Sequence, residues 1–177
     1  KGAIVSTAEP HTLSLCLDQF SVFEVNALMY QQRATEKEPE RGSPLPLVVL
    51  QPTQLLEAVA FAKEAIGAPE GWLTGYYTNL ISRQELFGVW EKDRLVATGE
   101  SRGYDAYQTG YADLGVVVAE SERGKGLATR ILRQLVAMNE ERGLKSICST
   151  ERTNVAAQKA ITRAGFFASN RIVRFEA

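Results

Sequence analysis

The sequence is poor in the residues that hold metals and disulfides: one histidine and two cysteines among 177 residues. The lone histidine, His11, stands in an AEPHT context, and neither CxxC nor HExxH occurs, which argues against metal catalysis. Cys16 and Cys148 both lie among apolar neighbours and read as two buried thiols in a reducing, cytoplasmic setting. Long hydrophobic runs are missing too. No stretch approaches the ~18 apolar residues of a spanning helix, so no membrane role is expected. An excess of one charge is also lacking, with 20 basic against 21 acidic residues and a formal net charge of -1. That argues against general nucleic-acid binding, although a local basic pocket stays open. The chain begins at Lys1 without a methionine or signal-like region, so a truncated or processed start is expected.

What is present is an ordinary globular balance, 45% hydrophobic and 23% charged, able to bury a substantial core in about one domain. Residues 1–30 mix strand-like and helix-like groupings, and residues 31–44 (QQRATEKEPERGSP) read as a polar loop or linker. Residues 1–44 are therefore expected to be an N-terminal extension or partial subdomain, with the main domain over 45–177. LPLVVL predicts a short buried strand. In PTQLLEAVAFAKEAIG, Leu55, Val59, Ala62 and Ile66 share one helical face, and Gly67 stands where a helix ends. GWLTGYYTNLIS is aromatic and irregular, a packed loop or one wall of a substrate cleft.

From residue 86 the pattern sharpens. LFGVW and RLVATGE flank the polar turn EKD as an antiparallel hairpin, and YADLGVVVA follows as a third, centrally buried strand. A helix comes next, with Leu127, Ile131, Leu135 and Met138 in line, Leu132 and Val136 widening the stripe, and Gly143 closing it. SICST predicts another strand. A second helix follows with Val155, Ala157, Ala160, Ile161 and Ala164 inward, closed by Gly165, and RIVRFE is a last strand. The fold class is α/β (α+β): a mixed, mostly antiparallel central sheet with helices on both faces.

The stretch ESERGKGLATRIL, residues 120–132, carries the functional signal. It joins a buried strand to a helix N-terminus, whose first N–H groups have no intrahelical partner and whose dipole favours an anion. Gly124 and Gly126 bare the backbone, Arg123 and Lys125 add charge, and Thr129 adds a hydroxyl in the first turn. A diphosphate fits best. The P-loop pattern is absent. A dinucleotide fingerprint starting at Gly124 and Gly126 meets Thr129 where its third glycine belongs, although Glu151 stands after the next strand as a ribose-binding acid would.

Read as Arg123-Gly124-Lys125-Gly126-Leu127-Ala128, the turn matches Q/R-x-x-G-x-G/A, and NVAAQKAITRAGF (Asn154 to Phe166) matches N-x-x-A-x-x-A-x-x-x-x-G-F downstream. The two motifs in this order resemble the coenzyme A signatures of the GNAT superfamily of N-acetyltransferases, over about residues 86–166. The resemblance implies acetyl-CoA as co-substrate and an amine as acceptor. It implies that the backbone of Val116, Val117 and Val118 pairs with the pantetheine arm. One of their N–H groups would polarise the thioester carbonyl. Residues 124–129 would hold the pyrophosphate, Asn154 would lie near the pantetheine, and Lys159 would reach a phosphate or remain a solvated helix lysine.

An alkylammonium acceptor must lose a proton before attack. Glu100 on the second hairpin strand is the preferred base, directly or through water. Asp113 is the other candidate, but the family position on that strand is Ala112, so Asp113 should face the opposite way. Seven residues after Asn154 the family commonly has a tyrosine that protonates the leaving thiolate, and here stands Ile161. Solvent, Ser149, Tyr104 or Tyr107 are the substitutes. After Phe166 the family has two strands, and only RIVRFE remains; the other is expected from residues 1–20 or from a partner chain, the latter making a homodimer. The acceptor pocket is expected from residues 67–85 and 101–110, with Trp72, Tyr76, Tyr77, Tyr104 and Tyr107 as walls. Three functions stay open: an N-acetyltransferase, a non-catalytic acyl-CoA-binding module (given Ile161 and Ala112), and an NAD-dependent oxidoreductase (given Gly124, Gly126 and Glu151).

Overall fold

A computed structural model describes residues 3–7, 9–20, 22–32, 44–103, 107 and 109–176. In chain order its elements are β1 (Ala3–Thr7), α1 (Pro10–Gln19), β2 (Val22–Gln32), β3 (Val48–Val49), α2 (Leu55–Ile66), α3 (Glu70–Ser82), β4 (Leu86–Glu91), β5 (Arg94–Gly103), β6 (Tyr111–Val118), α4 (Leu127–Glu141), β7 (Lys145–Glu151), α5 (Val155–Arg163) and β8 (Phe166–Glu176). The chain divides into two compact units, residues 1–34 with 147–177, and residues 35–146. This cut differs from the boundary expected at residue 44. No helix among the described residues is long and apolar enough to cross a membrane.

In the first unit β8 lies between β1 and β2, both antiparallel to it, and β2 pairs antiparallel with β7 on its other side. The strand that RIVRFE needed thus comes from the chain's own start, β1 within residues 1–20 and β2 just beyond. RIVRFE itself is the last part of an eleven-residue strand. Phe175 anchors this layer, fully buried, with the Phe20 ring tilted on it at 5.3 Å. α1 opens with Pro10 in its first turn, where no N–H is required, and the Glu9 side chain accepts from the His11 N–H. Cys148 is buried as expected, but Cys16 on α1 is only half-buried. On α5 and at its C-cap, Ile161 and Ala164 are buried and Ala157 and Ala160 half-buried, but Val155, expected inward, is exposed.

In the second unit β3, β4, β5 and β6 form an antiparallel meander. The turn between β4 and β5 is Lys92-Asp93, both at positive φ (48° and 64°), the left-handed pair that suits a two-residue hairpin. The expected strand LPLVVL narrows to the pair Val48–Val49 on the edge, with Val48 exposed; Leu45 and Leu50 on either side supply the burial. Helices cover both faces of the meander. A Cβ on Gly99 would meet Ile131 and Leu135 of α4, whereas Glu100, the next residue on β5, meets Tyr76 of α3. Strand alternation therefore sets α4 and α3 on opposite sides.

The segment expected to be irregular is helical. In α3, Leu73, Tyr77, Leu80 and Ile81 recur at helical spacing and are all buried, against Leu50, Val59, Ala62, Leu86 and Leu95. Two glycines obscured that period. Each costs a helix about 0.5–1 kcal/mol relative to alanine, while each fully buried large apolar side chain returns about 1.5–3 kcal/mol. Packing wins. Gly75 is exposed, with nothing within 4 Å of where its Cβ would stand. Gly75→Ala is therefore expected to stabilise the protein by about 0.5–1 kcal/mol, read as a raised midpoint in denaturant melts. On α2, Ala58 joins Val59 and Ala62 inside, but Ile66, expected inward, is exposed in the last turn before Gly67 at φ 67°.

Candidate active site

The β6–α4 turn is built by local backbone bonds. The Ala119 N–H donates to Val96 O on β5, and the Glu122 and Arg123 N–H groups close a single 3-10 turn on Ala119 O and Glu120 O. Gly124 and Gly126 then take φ of 78° and 80°, a conformation that side chains other than glycine strain to adopt. Gly126 is the N-cap of α4, makes no side-chain cap bond, and has nothing within 4 Å of a notional Cβ. A side chain at Gly126 would thus meet open space, at the end of the helix where the first N–H groups lack intrahelical acceptors and the dipole is positive. Leu127, Ala128 and Thr129 form that first turn, half-buried, over the fully buried Ile131 and Leu135.

The charges flanking the turn are already engaged. Arg123 donates through Nη2 to Ala65 O at 2.7 Å, near the end of α2, and through Nε to Val118 O at 3.3 Å. Its guanidinium ties the turn to α2 and β6 through two of its nitrogens. Lys125 pairs with Glu122 at 3.0 Å in an exposed i,i+3 contact, which is weak enough to exchange. An anion at this turn would rest on backbone N–H groups, with Lys125 as the adjustable charge. Val116, Val117 and Val118, expected to be closed on both faces, are only half-buried. In the other unit Asn154 caps α5, its side-chain oxygen accepting from the Ala157 N–H at 3.1 Å. Its amide nitrogen makes no part of this cap. Lys159 and Glu151 are exposed, on α5 and β7 respectively.

A polar cluster occupies the α3 side of β5 and β6. The Tyr76 hydroxyl donates to Glu100 Oε2 at 2.6 Å and accepts from Arg102 Nη1 at 2.7 Å. Arg102 also holds Asp113 Oδ2 at 2.6 Å through Nη2 and lies 3.3 Å from Glu100 Oε2. Glu100 and Arg102 alternate onto one face of β5, and their cross-strand partners Gly115 and Asp113 alternate onto the same face of β6. Asp113 does face away from Ala112, which is buried, and that orientation brings it to Arg102 and not to open space. From the sequence alone Glu100, Asp113 and Tyr76 have separate roles and Arg102 has none; register and packing join all four. The position of Arg102 two residues after Glu100 on a strand was the available signal.

Burial raises the Glu100 carboxyl above the ordinary range, and Asp113 adds to this, while Arg102 and the Tyr76 hydroxyl oppose it. Asp113 is raised by burial as well, with Arg102 opposing. Burial works against the Arg102 charge, but Asp113 and Glu100 outweigh it and raise the guanidinium further. Burial and the Glu100 charge push Tyr76 up, and they push Tyr77 up to about 12. With both carboxylates ionised the cluster carries two negative charges against one positive. It has room for one proton.

Gly115 makes this packing available. A Cβ there would stand 2.8 Å from Glu100 Oε2. Gly115→Ala is expected to push the carboxylate off Tyr76 while leaving every ionisable group in the protein, and to lower any turnover that uses Glu100 by about tenfold or more. A rate unchanged in that variant would show that the carboxylate position is immaterial. Among the substitutes for the missing acid, Ser149 is exposed on β7, Tyr107 is 94% exposed, and Tyr104 lies outside the described residues. Ile161 is buried in α5.

The acetyltransferase (GNAT) family model matches residues 53–166, which include the glycine turn, the polar cluster and α5. The chain belongs to the GNAT acetyltransferase family. A GNAT-family acetyltransferase from Colwellia psychrerythraea is 52% identical over 99% of this chain, with a TM-score of 0.91; the chain spans 65% of that relative's length. A GNAT-family protein from Novosphingobium aromaticivorans superposes with a TM-score of 0.65 at 23% identity, over 89% of this chain and 67% of its own. Aminoglycoside N-acetyltransferase AAC(6')-Iy, solved in complex with CoA, gives a TM-score of 0.56 at 15% identity, over 72% of this chain and 90% of its own. These last two show the GNAT fold alone. Among curated proteins, none matches the chain. Membership in the GNAT family agrees with Thr129 standing where a dinucleotide turn requires glycine, and the nicotinamide reading lapses.

Proposed function

We propose that this chain transfers the acetyl group of acetyl-CoA to a primary amine of a small molecule or protein, with Glu100 as general base. The observation that carries the reading is the head of α4, which no side-chain cap bond closes and where two left-handed glycines leave open space at their Cβ positions. Residues 124–129 would receive the pyrophosphate on backbone N–H groups, and the backbone of the half-buried residues Val116–Val118 would follow the pantetheine arm. Glu100 pairs across the strands with Gly115, the residue before Val116, so the base would stand beside the reacting end of that arm. An N–H of this strand would stabilise the oxyanion as the amine attacks. The leaving thiol has an ordinary pKa of about 8.5, so its thiolate departs without a dedicated acid.

A second reading, an acyl-CoA-binding module without turnover, is favoured by one observation: Ile161 is 6% exposed and fills the place where the family's acid would stand. One experiment separates the two. Acetyl-CoA at ~100 times its dissociation constant should add about 2.7 kcal/mol of stability, a shift of roughly 5–10 °C for a chain of this size. Thiol release over a panel of primary amines then distinguishes enzyme from binder. No thermal shift with acetyl-CoA would refute both.

A further inference from the structure

We propose that Tyr76 is the group that meets the acceptor amine, relaying its proton to Glu100. The inference rests on the transferase reading and adds a catalytic residue to it. Glu100 is only 6% exposed, and its Oε2 is already enclosed by Tyr76, Arg102 and the Gly115 backbone face. An ammonium group cannot approach that carboxylate oxygen without displacing a partner. Of these partners, Tyr76 is the one that continues into a stacked, solvent-facing ring pair. Its ring is half-buried and stacks on Trp72 at 4.8 Å and 15°, and Trp72 is 57% exposed. The two rings form a shelf that begins in solvent and ends at the hydroxyl touching Glu100.

The hydroxyl is oriented for transfer. It has one proton, and the 2.6 Å contact directs that proton at Glu100 Oε2. One lone pair accepts from Arg102 at 2.7 Å, which leaves the other for an incoming N–H. A standing phenolate is excluded, because burial and the Glu100 charge hold the phenol above its ordinary pKa. The two transfers are therefore coupled. As the ammonium proton passes to the Tyr76 oxygen, the Tyr76 proton passes to Glu100, and Arg102 stabilises the charge that develops between them.

Afterwards Tyr76 is unchanged, Glu100 is neutral and the amine has a free lone pair. Attack forms the C–N bond at the thioester carbon and breaks the C–S bond. The second amine proton neutralises the thiolate, and the proton on Glu100 returns to solvent. The groups facing Glu100 in this scheme are Tyr76 and Tyr77 from α3, Arg102 from β5 and Asp113 from β6. Asp113 stays bound to Arg102 throughout and takes no proton from the amine.

The test is a proton inventory on the wild-type protein, in single turnovers of acetyl-CoA with the best amine of an alkyl and arylalkyl panel. Two protons moving together should give a curved dependence of rate on deuterium fraction. A straight line, meaning one proton in flight, overturns the relay. Tyr76→Phe should lower the single-turnover rate by about 100-fold or more, as deeply as Glu100→Gln, with the acetyl-CoA thermal shift retained. A loss under threefold in that variant also overturns it. If Tyr76→Phe does not fold, the wild-type inventory decides alone. If acetyl-CoA binds but no amine turns over, the transferase reading fails first and the relay falls with it; turnover with a straight inventory sinks the relay alone.

Discussion

Glu100→Gln is expected to lower kcat/KM for the acceptor amine by about 100- to 10,000-fold, the range a general base supplies. Acetyl-CoA should still raise the melting temperature of the variant, because the coenzyme turn and Glu100 are different parts of the unit. The pH profile gives a second readout. A base works only when deprotonated, and burial raises this carboxyl in the folded protein. The wild-type rate should therefore climb with pH to a shoulder above the ordinary glutamate value of about 4.3, and the variant should lack that limb.

Stability carries the same signature with its own sign. A carboxyl whose folded pKa lies above its unfolded value binds its proton more tightly when folded. Its contribution is fully present below the unfolded value and is lost as pH rises through the folded value. Asp113, also raised by burial, shares this sign. Glutamine cannot titrate, so Glu100→Gln should lose less stability than wild type as pH rises above the ordinary glutamate value of about 4.3, in paired denaturant melts. Full activity in the variant, with coenzyme still bound, would remove Glu100 from the chemistry.

Gly126→Asn should abolish most acetyl-CoA affinity, a loss of roughly 10- to 100-fold, with little change in melting temperature. Asparagine tolerates left-handed backbone, and the space around the missing Cβ is empty of protein atoms, so the start of α4 should survive. Its side chain would occupy that same space and can cap the helix, competing with the diphosphate for the same N–H groups. Each hydrogen bond to a charged group lost in this way is worth about 1.5–3 kcal/mol. Gly126→Val is the poorer probe, because a β-branched residue at φ 80° strains the fold as well as the site. Isothermal titration of both variants measures the difference. An Asn variant that binds acetyl-CoA as tightly as wild type would place the coenzyme elsewhere.

The two halves of the proposed site were legible to different degrees. The glycine turn could be read directly, because Gly124 and Gly126 answer a local backbone requirement and the apolar stripe after them marks a helix within a few residues. The same reading gave Arg123 and Lys125 to the phosphates. Only the folded chain showed Arg123 donating to Val118 O, five positions back, and to Ala65 O, 58 positions away along the chain. Glu100 could be named but its setting could not, since Tyr76 lies 24 residues before it and reaches it from a helix whose period two glycines had obscured.

By itself the sequence determined what depends on neighbours along the chain: the hairpin turn, the stripes of α2 and α4, the left-handed glycines and the family that those motifs mark. Tertiary structure decided what depends on register and on chain reversal. The first residues supply strands on either side of β8, Val48 falls on an edge despite its apolar neighbours, and Arg102 gathers Glu100, Tyr76 and Asp113 into one cluster. The physical reason is that backbone conformation and periodicity are set within a turn or two of helix. Desolvation and charge pairing are set by whichever distant side chain the fold brings within about 3 Å.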